Sequence, residues 1–412
     1  MTPRSRTVAC AVAGGGPAGM VLGLLLARAG VSVVVLEKHA DFLRDFRGDT
    51  IHPSTLELMH ELGLLEEFLT LPHQRMERLI AQVGDSTVTI ADFTHLPTRC
   101  KFIAMMPQWD FLDFLARQAA RYPAFRLEMR AEATGLIEEA GRVAGVRATT
   151  PAGPLEVRAD LVVAADGRSS VLREQAGLRV EDLGAPMDVL WFTLSRRPPD
   201  PEASMGRFDI GRIFVLINRG PHWQCGYVIP KGAADEVRRR GLDAFRASVA
   251  ALAPFAAGRV EEIRDWEAVK LLTVKVDRLQ EWYRPGLLCI GDAAHAMSPV
   301  GGVGINLAIQ DAVAAANLLW QLLYQNRLTP DHLGQVQRRR QWPTRVTQGL
   351  QIAMQRRIIT PVLRGGRGRL APPLFLRLLA RYAILRRLPA RLIGLGIRAE
   401  HIETPAVETA GP

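Results

Sequence analysis

Cysteine is scarce in this chain of 412 residues. Cys10, Cys100, Cys225 and Cys289 stand far apart, with no CxxC pair and no histidine at metal-ligand spacing. That excludes a disulfide-stapled scaffold and a zinc ribbon or finger, and leaves buried, reduced thiols in a cytoplasmic protein as the expectation. No segment gives about 18 uninterrupted apolar residues, so none reads as a membrane-spanning helix. No internal repeat of about 20 to 50 residues is visible. The residues from Met1 to Gly30 place early arginines before an apolar run, the outline of a secretory signal, but their glycine spacing argues for another role. Acid is missing from one long stretch: from Arg338 to Arg398 there are fifteen arginines and no Asp or Glu, and the whole chain carries a formal charge of +10. No nucleic-acid recognition motif accompanies that stretch. Its arginines alternate with Leu, Ile, Phe and Tyr, the pattern of helices with cationic faces.

What is present suits a large core: 48% of the residues are hydrophobic and 23% charged, enough for two interleaved domains. Thr7 to Ala13 reads as a buried strand, Pro17 to Ala29 as a helix and Val31 to Leu36 as a second buried strand, a βαβ opening. Ser54 to Leu62 and Asp110 to Arg121 have helical periodicity, the first with Ser54 and Glu57 in capping-box relation. Arg126 to Ala159 predicts a meander of short strands, and Asp160 to Ala165 another buried strand. Alternation in Val189 to Leu194, Arg212 to Ile217 and Gln224 to Ile229, with a helix over Leu242 to Leu252, predicts an inserted antiparallel sheet under a covering helix. The first layer resumes at Gly286 to Ile290, followed by a long helix from Ile305 to Tyr324. The predicted fold is α/β: a discontinuous Rossmann-type domain over 1–75, 100–178 and 270–340, a β-sheet domain over 76–99 and 179–269, and an Arg-rich helical region over 341–412.

Three motifs carry chemistry. Gly14-Gly15-Gly16-Pro17-Ala18-Gly19 satisfies GxGxxG between strand and helix: Gly14 permits the tight turn, Gly16 lets backbone N–H groups approach a pyrophosphate, and Gly19 lets the helix meet the strand. Glu37 ends the second strand, where a carboxylate accepts the hydrogen bonds of a ribose diol. Asp166-Gly167 closes a buried strand and points a carboxylate and a turn toward the same crevice. Gly291-Asp292 closes a third strand, and the loop Pro299 to Gly304 leads into the helix beginning near Asn306. An Asp there suits a ribityl hydroxyl, and the loop suits a flat ring lying against backbone. The unsatisfied N–H groups of that helix would stabilise negative charge by about 0.3 to 1 kcal/mol, more when partly buried.

In GGGPAG with Glu37, DLVVAADGRSSVLR and GDAAHAMSPVGGVGIN, taken in this order, the chain resembles the single-component flavoprotein aromatic hydroxylases of the para-hydroxybenzoate hydroxylase superfamily, the group A flavoprotein monooxygenases. The resemblance spans the chain to about residue 325. It implies FAD as cofactor, with Gly14, Gly15, Gly16, Pro17, Ala18, Gly19, Glu37, Lys38, Arg47, Gln108, Asp166, Gly167, Gly291, Asp292, Pro299, Gly302, Gly304, Ile305 and Asn306 as its contacts. Of these, Arg47 matches an arginine near the mobile ring, Gln108 a glutamine on FAD, and Asp166-Gly167 a segment serving both FAD and reduced nicotinamide. With no second GxGxxG, NAD(P)H is expected to dock transiently. The implied reaction is NAD(P)H- and O2-dependent hydroxylation of an aromatic or polyketide-like apolar substrate through a flavin C4a-hydroperoxide, with no protein nucleophile.

His222, Tyr227 and Asp209 are candidate general bases, and Trp191, Phe192, Phe208, Phe214 and Tyr227 candidate pocket residues. His295 is read as orienting its loop. The halogenase motif WxWxIP is approached by Trp223 to Pro230, but its second Trp is missing, which disfavours halogenation. An epoxidase of an alkene and a reductase or dehydrogenase of an isoprenoid or quinone-like lipid stay open. So does peripheral contact of Leu374 to Ile397 with an anionic membrane. The expected state is monomer or homodimer.

Overall fold

A run with no polar face has to lie inside a parallel sheet, and Val33–Glu37, buried at all five positions, does. The computed structural model describes residues 4–43, 50–365 and 372–407. Val33–Glu37 pairs in parallel with Arg4–Ala13 on one side and Phe125–Met129 on the other. Arg4–Ala13 pairs in parallel with Gly153–Ala164, which pairs in parallel with Leu287–Cys289. Because these strands run one way, Ala13, Glu37, Ala164 and Cys289 all end on one edge of the sheet, where open α/β sheets take their ligands. Helix Pro17–Arg28, buried at ten positions, packs against Gln108–Ala119 and Gly304–Tyr324. Gly23 allows its close approach, since a Cβ there would fall 2.7 Å from Val35.

Gly153–Ala164 is one strand of twelve residues, and Asp160 does not start a new one. Its first half alternates in burial because only the antiparallel strand Arg142–Thr150 and Arg4–Ala13 flank it, and its last four residues are buried in the parallel core. The capping box expected at Ser54 is absent. Helix Pro53–Glu61 starts one residue earlier, with Pro53 in its first turn and His52 at the cap, where proline's fixed φ sets the start. Helix Gly304–Tyr324 is long and apolar enough to cross a membrane by length and composition, but 67% of that segment is buried inside the protein.

A second sheet has seven strands, in the order Lys270–Leu272, Met187–Ser195, His222–Pro230, Arg212–Asn218, Met205–Asp209, Arg78–Val83 and Ser86–Asp92. Its pairings are antiparallel except between Met205–Asp209 and Arg78–Val83. Its two faces bury different sets. Phe192, Phe214 and Tyr227 pack under helix Leu242–Leu252, with Phe192 edge-on to Phe245 at 5.4 Å between ring centroids. Val189, Ile213 and Val228 turn the other way, toward Val300 of the glycine-rich loop and Ile359 and Val362 of the C-terminal region, with Trp191 and Phe208 beside them. Period-two alternation therefore divides the expected pocket set: Trp191 and Phe208 face the loop, while Phe192, Phe214 and Tyr227 belong to the opposite core.

Candidate active site

The three motifs meet. Gly14 takes φ +110°, and a Cβ there would lie 2.3 Å from the Ala165 carbonyl and 3.0 Å from the Asp166 nitrogen, so the first motif touches the second through bare backbone. Gly291, at φ +58°, lies in van der Waals reach of the first helix: a Cβ there would sit 3.4 Å from that of Ala18. Arg168 Nε donates to Asp292 Oδ2 at 2.9 Å and joins the second motif to the third. Arg173 strengthens that link, donating through Nη1 to the Ala293 carbonyl at 3.1 Å and through Nη2 to the Arg168 carbonyl at 2.7 Å.

Within this crevice the glycines differ in what they face. A Cβ on Gly19 would lie 2.0 Å from the Gly14 carbonyl, whereas one on Gly16 or Gly167 would meet nothing within 4 Å. Gly16 thus borders open space at the start of helix Pro17–Arg28, as a pyrophosphate cradle requires. Glu37 is buried at its strand end; Oε2 accepts from Gly15 N and Oε1 from His39 N, both at 3.0 Å, so the carboxylate is aimed at the turn. Burial pushes the Asp166 carboxyl up from its ordinary range, opposed by hydrogen bonds from Ser170 and the backbone that follows. Lys38 is exposed directly after Glu37, and Gln108 is buried as the first residue of its helix. Arg47 lies outside the described residues.

The loop after Pro299 is shaped by two left-handed residues, Gly301 at φ +81° and Gly302 at φ +63°. Gly302 also abuts Thr50, whose hydroxyl donates to the Gly302 carbonyl at 3.0 Å. The first backbone bond of the next helix is Leu307 N to Val303 O, at 3.0 Å, so the N–H groups of Gly304, Ile305 and Asn306 precede the intrahelical ladder. The Asn306 side chain has protein partners. It accepts from His52 N at 3.0 Å and Thr55 Oγ1 at 2.8 Å and donates to the Thr50 carbonyl at 3.1 Å. A direct cofactor contact from Asn306 is thereby left to its backbone N–H. These features fit the group that the motifs imply: open space at Gly16, a carboxylate at the strand end beside the turn, and helix N–H groups behind a loop with two glycines in left-handed conformation.

Several residues that position this site carry no signal as single letters. His52 is fully buried; Nδ1 donates to the Ile393 carbonyl at 2.7 Å, and desolvation lowers its pKa to about 4, so it is neutral at pH 7. His295 does orient its loop: Nε2 donates to Asp311 Oδ2 at 2.6 Å, and the same oxygen accepts from Gly291 N at 3.1 Å. Burial works to raise the Asp311 carboxyl, but His295 and Arg340 outweigh it and hold it below its usual range. Arg340, itself buried, bridges Asp311 Oδ1 at 3.0 Å and Glu400 Oε1 at 3.2 Å. From the same helix face, Gln348 Nε2 donates to the Asp277 and Ala296 carbonyls, Gln351 brackets Ser298, and Gln355 Nε2 donates to Ser298 Oγ. This polar seam, whose glutamines follow at steps of three and four, clamps the loop backbone from behind.

The candidate bases are not gathered here. Tyr227 is bonded to Ser248 Oγ at 2.9 Å on the far face, and Asp209 is paired with Arg212 at 2.8 Å. His222 sits opposite Ser195, six residues and about 20 Å along its strand from Val228. Desolvation, aided by Arg219, lowers its pKa.

A model of a family described as FAD binding domain matches residues 7–348. The chain is 32% identical over 351 residues to 6-methylpretetramide 4-monooxygenase of Streptomyces rimosus, covering 85% of this chain and 84% of that one. It spans 59 to 64% of the length of three further curated relatives. Among solved structures, p-nitrophenol 4-monooxygenase of Pseudomonas putida gives a TM-score of 0.73 at 20% identity, covering 95% of this chain and 100% of that one. A flavin-dependent brominase gives 0.75 at 17%, covering 94% and 93%. At that identity these two share the fold alone, and hydroxylase and halogenase share it equally. The converging motifs and the extent of the family match together establish that the chain belongs to the FAD-binding-domain family, as a flavoprotein monooxygenase of the para-hydroxybenzoate hydroxylase superfamily.

Proposed function

We propose that this protein uses NAD(P)H and dioxygen to place one oxygen atom on an aromatic or polyketide-like apolar substrate, held between the flavin crevice and the seven-stranded sheet. The observation that carries the reading is the contact of Val300, from the glycine-rich loop, with the sheet face bearing Val189, Ile213 and Val228. That face is apolar and carries Trp191, whose ring lies across the strand at Gly226; a Cβ there would be 3.0 Å from the indole. Such a wall binds a flat apolar molecule and keeps water from the oxygen-transfer step. The relative of 32% identity is named for oxygenating 6-methylpretetramide, which favours a substrate of this kind.

In this reading the sheet edge holds the cofactor: Gly14 to Gly19 the pyrophosphate, Glu37 the ribose, and Asp292 the ribityl chain. When bound, FAD supplies hydride acceptance and oxygen activation. The N–H groups of Gly304 to Asn306 would stabilise negative charge developing on the cofactor, and the polar seam keeps their loop in place. Reduced nicotinamide docks transiently beside Asp166 and Gly167. His222, Tyr227 and Asp209 are not assigned as general base in this reading. The domain division is the one read from the sequence, with the flavin layer over 1–75, 100–178 and 270–340.

The test is a panel of phenolic and polycyclic aromatic compounds incubated with the holoprotein, NADH or NADPH and 18O2. A substrate-stimulated loss of reduced nicotinamide with one labelled oxygen per product is the expected result. Product without label, or nicotinamide oxidation that yields only hydrogen peroxide across the panel, would overturn the reading.

A further inference from the structure

The last helices of the arginine-rich stretch have two apolar faces. Helices Leu374–Arg381 and Arg387–Gly394, joined by the turn Ala383–Arg386, cover the edge strand Ser86–Asp92. Their inner faces bury Leu376 and Leu379 against Val83 and Val88, and Ala390 and Ile393 among Phe93 and Leu96. An ordinary surface helix would then turn a polar face outward. Here Leu374, Phe375, Leu378, Tyr382, Ile384 and Leu388 are exposed, Leu374 at 72% and Ile384 and Leu388 at 66%. Leu374 and Leu378 stand one helical turn apart, and Tyr382 and Leu385 continue the exposed apolar run past the helix end. Between them stand Arg377, Arg381, Arg387 and Arg391, all exposed, with no acid in the segment.

Beside this stripe, an open groove of about 510 Å³ runs between helix Leu374–Arg381 and the edge strand. Arg377 and Arg381 line it from the helix, and Ser86, Thr87 and Val88 from the strand. Arg377 Nε donates to the Pro372 carbonyl at 2.9 Å, which fixes the plane of its guanidinium. Such a set recognises a phosphate oxygen cluster. An apolar stripe interleaved with arginines, next to a groove lined by two of them, matches the layered chemistry of a bilayer: acyl chains below, anionic headgroups above. A second copy of this chain would bring the same uncompensated arginines against these.

We propose that the outer face of 374–391 is a docking surface for an anionic lipid bilayer, with a phospholipid headgroup in the groove of Arg377 and Arg381. Bound there, the enzyme would sit where apolar ring compounds partition. The inference stands apart from the reaction proposed above.

Flotation of the FAD-loaded full chain with vesicles tests it. Phosphatidylglycerol vesicles should carry the protein at 0.1 M salt, with binding falling steeply at 0.5 M, and phosphatidylcholine vesicles should not. Removing two charges in Arg377→Gln/Arg381→Gln should weaken partitioning by about tenfold or more. Leu374→Gln/Leu378→Gln, which alters only exposed apolar groups, should also release the protein; flavin content and melting temperature report that both variants remain folded. No flotation with phosphatidylglycerol, equal binding to both lipids, or unchanged binding in both folded variants would overturn the proposal. So would binding to soluble polyglutamate as tight as to vesicles and kept by the leucine variant, because the surface would then belong to an acidic polypeptide.

Discussion

Gly16 and Gly19 stand in one turn and answer to different demands. Gly19 is needed by the chain itself, because a Cβ would lie 2.0 Å from the Gly14 carbonyl; Gly16 has an ordinary φ of −74° and faces open space. Gly19→Ala should therefore lower the melting temperature, at a cost of about 1 to 3 kcal/mol. Gly16→Ala should melt as the parent does yet retain less FAD, and a Gly16 variant with full flavin absorbance after gel filtration would contradict the cradle. Glu37→Ala and Asp292→Ala each remove a charged acceptor, and each should weaken FAD binding by roughly 10- to 100-fold. Reconstitution titrations at 450 nm measure this; parent-like binding in both would sink the assignment. His52 gives a pH signature. Its folded pKa of about 4 lies below the unfolded value, so its contribution is full above about pH 6.5 and is lost as pH falls toward 4. Between pH 6.5 and 5 that amounts to about 2 kcal/mol, and His52→Gln should flatten the fall in melting temperature over that interval.

At the scale of elements, the two halves of the chain were unequally legible. Val33–Glu37 and Pro17–Arg28 announce themselves because burial on all sides leaves only apolar residues and glycine. Helix Pro330–Met354 buries Gln337, Arg340, Thr344, Gln348 and Gln351 instead, so hydropathy alone cannot say which face is inside. Its glutamines are buried because the loop they meet has backbone groups to satisfy and few side chains. Gln351→Leu should leave Ser298 N and the Ser298 and Val300 carbonyls without their partner, costing about 2 to 4 kcal/mol. Faster FAD release on dilution, with the far-UV spectrum unchanged, is the expected readout; release at the parental rate would show that the seam does not govern the loop.

For the whole molecule, one sheet edge gathers the three motifs, and one face of a second sheet packs in a cluster with Val300 of the glycine-rich loop. Each motif alone is a turn: GGGPAG, DG and GDAAH lie more than 100 residues apart in sequence, yet Gly14 touches Ala165 and Arg168 reaches Asp292. Parallel pairing is what brings them together, because it sends every strand's C-terminal end to the same side. The C-terminal segment closes back on this core through Glu400, which pairs with Arg339 and Arg340. Breaking one partner of so buried a pair strands a charge, and Arg340→Met should lower both stability and flavin retention, while Arg339→Met, at a partly exposed site, should do less. Comparative melting of the two holoproteins checks the order.

The sequence by itself determined the α/β layers, the flavin motifs and their order, since glycine spacing, strand-ending acids and apolar periodicity are local properties written residue by residue. Tertiary structure alone decided which aromatic face of the inserted sheet looks toward the loop, that Arg168 and Arg173 lock two motifs together, that His52 is buried and neutral, and that a row of glutamines clamps the loop. Those are matters of what lies opposite a side chain, and long-range pairing fixes them; no local pattern does.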